Sequence, residues 1–376
     1  MTEIYLIRHA QAEGNVYRMM QGHWDGDVTD MGMKQIDALA ERFKGKDVDA
    51  VYASDLHRTM LTASAITKYH PLTIIPDQRL REINVGPWET KFFGNVMHDE
   101  PELARQFIFE QDKWYKEGAE TYQQVGDRVY PALEDIAKKH PGQKVVVVSH
   151  GVSIRCCISK IAGISLNDVE NLPICQNTSV TKLIWEDGKF RIDYMNDASH
   201  ILSLGDKAWG STSDLRDEPI NPAENRDYYI SCYEDAWRAA HNSTKGFEGS
   251  VYLESAIEHY KADKDSILCI YDDDKPVGLI DMDTRRGAAE GHGWISLLYL
   301  NSEYRNKGYG IQLLARCIAK YSFIGRTSLM LHVADDNKPA LTFYEKYGFK
   351  TVSAENSATG KLYLMEYDLG GRHDVQ

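Results

Sequence analysis

No stretch of this 376-residue chain is apolar for long enough to cross a bilayer. The opening run Ile4-Tyr5-Leu6-Ile7 follows Glu3 and meets charge at once, so it is too short for the apolar region of a signal peptide. Neither a membrane span nor a secretory leader is expected, and the chain reads as cytoplasmic. Cysteine is sparse: of six, Cys156 and Cys157 are adjacent and the rest are scattered, without metal-ligand spacing or a secreted disulfide framework. Buried thiols are the simple reading, and no metal is expected. Positive charge is in deficit, with 43 Lys and Arg against 56 Asp and Glu, a net −13. Nucleic-acid binding is therefore not expected, since it requires a basic face that releases counterions. Small anions remain open, because a few arginines converging in a cleft create their own local field. Internal repeats and low-complexity tracts are also lacking.

What is present is the balance of a globular protein, 43% hydrophobic and 26% charged. The length exceeds what one core usually organises, so two domains are expected. Strand-like and helix-like segments alternate through the first 200 residues. Tyr5–Ile7 and Lys144–Ser149 read as short buried strands, and Ile36, Leu39, Ala40 and Phe43 follow helical spacing after the turn-like Thr29-Asp30-Met31-Gly32. Periodicity lapses over Gly210, Ser211, Ser213, Pro219 and Pro222 and then resumes. The expected division is an α/β domain at 1–204, a linker at 205–225 and a second α/β domain at 226–370.

In the first domain, Ile4–Ile7 runs into Arg8-His9 and Val145–Val148 runs into Ser149-His150-Gly151. Ligands bind at the carboxyl edge of open α/β sheets, so the two histidines face one crevice if their strands are neighbours. Arg8 to Asn15, Gln21-Gly22-His23-Trp24-Asp25, Thr29 to Gly32, Tyr52 to Thr59, Leu80-Arg81-Glu82-Ile83 and Val148 to Gly151 together resemble the histidine phosphatase superfamily, which includes cofactor-dependent phosphoglycerate mutases. The resemblance covers about residues 1–200 and implies a three-layer α/β/α fold. Phosphoryl transfer needs an in-line nucleophile and positive donors around the non-bridging oxygens. The resemblance makes His9 the nucleophile, with Arg8, Arg58 and His150 as the charged shell, Asn15 as a neutral donor and Gly151 beside the phosphate. Nearby guanidinium groups favour the neutral ring a histidine nucleophile requires. Glu82, by resemblance, protonates the leaving alkoxide and later takes a proton from water, which a neighbouring phosphate dianion would assist. Ala10 and Gln11 stand where the commonest family opening has Gly and Glu, and the Glu82–His150 interval is short. Both features favour hydrolysis over mutase transfer. Trp88 and Glu89, followed by Thr90 where many relatives carry Gly, either shape selectivity or pack.

In the second domain an apolar strand over Gly293–Leu300 precedes Arg305-Asn306-Lys307-Gly308-Tyr309-Gly310 and then a helix bearing Ile311, Leu314, Ala315 and Ile318 on one face. Such a loop points backbone N–H groups and a helix dipole at a diphosphate. With the downstream strand Leu329–Val333 and the run Asp335 to Phe349, it resembles the GNAT acetyltransferase superfamily, a mixed α/β fold, over about 226–369. The resemblance implies acetyl-CoA as cosubstrate, held by Leu298, Leu300, Arg305, Asn306, Lys307, Gly308, Tyr309, Gly310 and Asn337. Asn337 would also cap a helix with Pro339 in its first turn. Tyr344 aligns with the family's frequent general acid, or else packs against Phe343. The acceptor-side base is open: Trp294 occupies the position where some relatives carry glutamate, and Glu290, His292 or a water chain are the candidates. Asp281–Glu290, with Arg285-Arg286-Gly287, reads as a solvated loop near the acceptor.

The combined expectation is a bifunctional enzyme acting on a small phosphorylated metabolite and on an amine acceptor. The alternatives are mutase-type transfer in the first domain and a non-catalytic acyl-CoA-binding module in the second. Neither substrate is named by the sequence, nor is the oligomeric state, a homodimer included.

Overall fold

The computed structural model describes residues 1–172, 175–205, 213–357 and 360–370, the side chains of 169–171 and 357 excepted. The chain divides into two compact units, with the division between Ser211 and Thr212.

The first unit holds strands β1 (Thr2–Arg8), β2 (Ala50–Ala53), β3 (Ile74–Pro76), β4 (Lys144–Ser149), β5 (Val180–Glu186) and β6 (Lys189–Asp197) in one sheet of order β3-β2-β4-β1-β5-β6. The first four are parallel, while β5 and β6 close the edge antiparallel. Its helices are α1 (Glu13–Tyr17), α2 (Asp30–Phe43), α3 (His57–Thr67), α4 (Phe93–Asp99), α5 (Pro101–Phe109), α6 (Tyr122–Lys139) and α7 (Gly151–Ala162). Alternation along the strands feeds two cores. Ile4, Leu6, Val145 and Val147 pack with Val125, Val129, Leu133 and Ile154 of α6 and α7. Tyr5, Ile7, Val146 and Val148 pack with Ile36, Leu39, Ala63 and Ile66 of α2 and α3. Side chains on a strand alternate faces, so continuous apolar runs like these belong between two helical layers, each fully buried aliphatic contributing about 1.5–3 kcal/mol. The turn-like Thr29–Gly32 is the start of α2: Thr29 is its N-cap, accepting from Gly32 N–H at 3.1 Å.

The second unit contains β7 (Arg216–Pro219), β8 (Ile267–Asp272), β9 (Lys275–Asp283), β10 (His292–Leu300), β11 (Ser328–Ala334), β12 (Lys350–Ser357) and β13 (Gly360–Asp368), ordered β12-β13-β11-β10-β9-β8-β7. Helices α8 (Arg226–His241), α9 (Gly249–Ala262), α10 (Gly310–Phe323) and α11 (Lys338–Lys346) flank it. Only β10 and β11 pair in parallel. Two expectations need correction. The 205–225 segment is not all linker, because β7 within it pairs antiparallel with β8; residues 206–212 lie outside the described residues. Arg-Asp-Glu-Pro lacks a strand's apolar alternation, but an edge strand takes its order from its neighbour, and Arg216 lies 4.1 Å over the Tyr271 ring while Asp217 pairs with Arg316 at 2.6 Å. Likewise Asp281 and Asp283 belong to β9, and Asp281 is buried because His259 and Tyr229 satisfy its charge.

Candidate functional site

Strands β1 and β4 are hydrogen-bonded neighbours in the register Arg8↔Ser149, so His9 and His150 leave the sheet side by side. Their ring centroids are 5.2 Å apart, and both rings are buried. His9 Nδ1 lies 2.7 Å from the Ala10 carbonyl oxygen. A carbonyl only accepts, so Nδ1 carries the hydrogen and Nε2 keeps its lone pair. Burial, then Arg58 and Arg8, hold the His9 ring well below the ordinary histidine range, so it is neutral at physiological pH. Burial first, then Arg58 and His9, hold His150 well below the ordinary range as well, so it joins the expected charged shell as a neutral ring.

The cationic shell is partly committed elsewhere. Arg58 is fully buried at the start of α3 and donates to Gly22 O at 2.7 Å, Trp24 O at 2.9 Å and Asp25 Oδ1 at 3.2 Å. Arg8 donates to Cys175 O. What remains among the described residues is a set of buried nitrogens without a hydrogen-bond partner: Arg8 Nε, Arg58 Nε and both ring nitrogens of His150. Buried donors are rarely left unmade, because each costs roughly 1–3 kcal/mol. The His150 ring lies 5.2 Å from that of His9, and Arg58 and Arg8 both act on the charge of His9, an arrangement suited to the oxygens of a phosphate. Asn15 has its Oδ1 taken by Ala12 N–H and Asn177 Nδ2, which leaves its amide nitrogen as the free end.

Glu82 sits at the N-terminus of α7. Its Oε1 accepts from Ile83 N and Ser153 N, each at 3.0 Å, while the Ser153 hydroxyl gives its one proton to Arg81 O at 2.6 Å; among the described residues its Oε2 accepts only from Val152 N, at 3.1 Å. A Cβ built on Gly151 would lie 3.5 Å from Arg8 Nε and 3.8 Å from Glu82 Oε2, so Gly151 borders both groups. Sequence reasoning missed Asn177, whose Nδ2 donates to His9 O at 3.0 Å, and Asp25, which pairs with Arg58. Asp25 closes the Gln21–Asp25 string, where nothing local assigns it a role, and no local signal marks Asn177. Trp88 and Glu89 pack and brace: Trp88 is buried against Trp114 and Phe107, and the Glu89 carboxylate accepts from Gly22, His23, Trp24 and Val85 N–H groups.

In the second unit, β10 and β11 pair only from His292↔Ser328 to Trp294↔Met330. Beyond Trp294 the strands lose their ladder, and a bulge falls between Ile295 and Leu297, freeing backbone groups of the stretch that contains Leu298 and Leu300. At the mouth of this opening, no hydrogen bond within the described residues is donated by the backbone N–H groups of Asn306, Lys307, Gly308, Tyr309 or Gly310, which precede or begin α10. Asn306 and Gly308 hold positive φ of 59° and 92° and turn the loop. A Cβ on Gly310 would come within 2.8 Å of Phe343. Free N–H groups at a helix start beside a split sheet fit the diphosphate and arm of acetyl-CoA. Arg305 departs from expectation: its guanidinium is bound to Leu300 O at 2.7 Å and Asp235 Oδ2 at 2.6 Å, because the strand end and α8 offer acceptors closer than the loop does. Asn337 caps α11 by accepting from Ala340 N at 3.2 Å, with Pro339 in the first turn. Tyr344 is buried between Phe343 and Phe349, and burial raises its hydroxyl well above the usual tyrosine range. Of the base candidates, Glu290 is exposed and His292 Nδ1 is 2.7 Å from Ser328 Oγ.

Residues 4–198 match the histidine phosphatase superfamily (branch 1), and residues 225–349 match the acetyltransferase (GNAT) family. Phosphoserine phosphatase 1 of Hydrogenobacter thermophilus is 33% identical over 201 residues, spanning 54% of this chain and 95% of that protein. The metal-independent phosphoserine phosphatase of Arabidopsis thaliana is 37% identical over 210 residues, spanning 54% and 85%. Among solved structures, Bacillus stearothermophilus YhfR superposes with a TM-score of 0.52 at 29% identity, covering 54% of this chain and all of that one. With a histidine pair and an arginine at adjoining strand ends in one unit and a split sheet with a glycine loop in the other, the chain belongs to the histidine phosphatase superfamily and carries a GNAT acetyltransferase family domain behind it.

Proposed function

We propose that the chain is a cytoplasmic bifunctional enzyme: residues 1–204 hydrolyse a small phosphomonoester through a phosphohistidine at His9, and residues 226–370 transfer an acetyl group from acetyl-CoA to an amine. The observation that carries the first activity is the His9–Ala10 hydrogen bond, which leaves Nε2 unprotonated beside the unspent donors of Arg8, Arg58 and His150. Nε2 attacks phosphorus, the ester P–O bond breaks, and the alkoxide leaves with a proton from Glu82. Oε2 is the oxygen for that proton, since it accepts one backbone hydrogen bond while Oε1 accepts two. Water then attacks the phosphohistidine, Glu82 takes its proton, and His9 is regenerated with release of phosphate. The names of the relatives make phosphoserine the first substrate to try. Release of phosphate from phosphoserine, without isomerisation of phosphoglycerate, is the expected result; isomerisation without net release would instead support a mutase.

For the second activity, acetyl-CoA supplies the activated acyl group, the Asn306–Gly310 amides hold its diphosphate, and the Tyr344 hydroxyl is held as a proton donor for the departing thiolate. An amine panel with acetyl-CoA, read by release of free thiol, tests it.

A further inference from the structure

We infer that Arg286, Trp294 and His332 form the acceptor side of the C-terminal site, which takes an amine carrying an anionic group and passes that amine's proton to His332. The inference rests on the acetyl-transfer reading given above.

Trp294 and Met330 share the last register of the β10–β11 ladder, and His332 stands two residues further along β11. Alternate residues of a strand share a face, so Trp294, Met330 and His332 line one side of the sheet where it opens. The Trp294 and His332 rings meet edge-on, with centroids 5.2 Å apart. On the same indole lies Arg286, its guanidinium carbon 3.3 Å from the ring centroid. Among the described residues that guanidinium makes no hydrogen bond or ion pair. Two acids act on its charge, Asp283 and Glu355, and neither bonds to it: Asp283 Oδ1 accepts from the Arg285 and Arg286 backbone N–H groups, Asp283 Oδ2 faces His259 Nε2 at 3.3 Å, and Glu355 Oε1 faces His332 Nε2 at 4.0 Å. A planar fork stacked on an indole, exposed and with its donors unspent, is built for a carboxylate or a phosphate.

His332 has the converse fitness. Its Nε2 is buried without a hydrogen bond and faces Glu355 Oε1 at 4.0 Å, while its side chain is 24% exposed. With the proton on Nε2 toward Glu355, the Nδ1 lone pair is free, and Glu355 stabilises the imidazolium once it forms. Burial and then Arg286 lower the ring's proton affinity against the pull of Glu355, so the ring is neutral before reaction. Trp294 has no basic atom to offer at the position where a glutamate was sought, and the neighbouring strand provides one instead. In the transfer the amine nitrogen attacks the thioester carbon and loses its proton to Nδ1. The C–N bond forms, the C–S bond breaks, and the thiolate leaves with a proton from Tyr344, which solvent restores; His332 returns its proton to water.

The test compares serine, ethanolamine phosphate, ethanolamine and 1,4-diaminobutane as acceptors for the full chain. Thiol release is measured alongside equilibrium binding of each amine in the presence of CoA. The two anionic amines are expected to lead by about 10-fold or more in kcat/KM, and their order separates carboxylate from phosphate. Arg286→Gln should raise their KM and Kd by about 10-fold or more with little change in kcat, and Arg286→Lys should recover part of the loss. His332→Gln should lower kcat by about 10²-fold or more at unchanged Kd and unchanged acetyl-CoA binding, and should abolish the acid limb of the pH profile. Preference for the diamine, an indifferent Arg286→Gln variant, or a His332→Gln variant with the parental pH profile overturns the inference while acetyl transfer stands. A parent protein that binds acetyl-CoA yet acetylates none of the amines overturns both.

Discussion

The His9 and His150 rings stand 5.2 Å apart with their planes tilted 56°, on adjacent parallel strands. Two buried imidazoles flanked by arginines are held neutral; in the proposed mechanism one is the nucleophile and the other a neutral hydrogen-bonding partner for a phosphate oxygen. His9→Ala should therefore reduce hydrolysis of phosphoserine and of p-nitrophenyl phosphate to background, with acetyl-CoA binding intact. Undiminished turnover would remove His9 from the mechanism.

The proton transfer proposed for Glu82 and its hydrogen bonds to the N–H groups that begin α7 can be separated. Glu82→Gln should lower hydrolysis of an alkyl phosphate by about 10²–10⁴-fold. The loss on p-nitrophenyl phosphate should be much smaller, since that leaving group departs without protonation. Equal losses on both substrates would mean that Glu82 acts only through the helix end, where the change costs on the order of 1 kcal/mol.

Thr90 adopts φ of 65°, a left-handed conformation costly for a β-branched side chain, and its exposed position gives little packing in return. Its N–H donates to Met20 O at 3.0 Å, which fixes the turn. Thr90→Gly should stabilise the first unit by up to about 1 kcal/mol, part of the relieved strain being offset by a freer unfolded chain. A fall in the denaturant midpoint would contradict this account.

The two units should respond oppositely to pH, the first below about 6.5 and the second above it. In the first, His9 and His150 have folded pKa values below the unfolded value of about 6.5, so the unfolded chain binds protons first. Stability there is lost as pH falls below about 6.5. In the second, burial opposes the charge of His259, but its hydrogen bond to Asp281 and the charges of Asp281 and Asp283 outweigh it and raise the pKa. The stabilisation it contributes is complete below about 6.5 and is lost as pH rises through the folded value. Calorimetry should show transitions moving in opposite directions, with His259→Gln flattening the second.

Gly308 turns the loop proposed to hold acetyl-CoA at φ of 92°, next to free amides. Gly308→Glu should abolish the thermal stabilisation that acetyl-CoA gives the parent protein. Arg305→Ala should instead lower the midpoint of the second unit without ligand, because the guanidinium ties β10 to α8.

Much of the first site was legible because its motifs are local: His9 and His150 end apolar runs that had to be buried strands, and Glu82 and Arg58 lie in short recognisable strings. The glycine loop before α10 was legible for the same reason, a strand, a positive-φ turn and a helix in close succession. Sequence thus determined the residue types, the strand ends that present them and the two folds. Tertiary structure decided which partners consume each group. It spent two of Arg58's nitrogens on the 22–25 loop, turned Arg305 back onto a strand end, made an edge strand of the charged Arg216–Pro219, and brought Asn177 under His9 from 168 residues away. It also set His332 against Trp294 across a ladder that stops at Met330. Hydrogen bonds and burial depend on which distant atoms arrive within about 3–4 Å, and no local spacing encodes that.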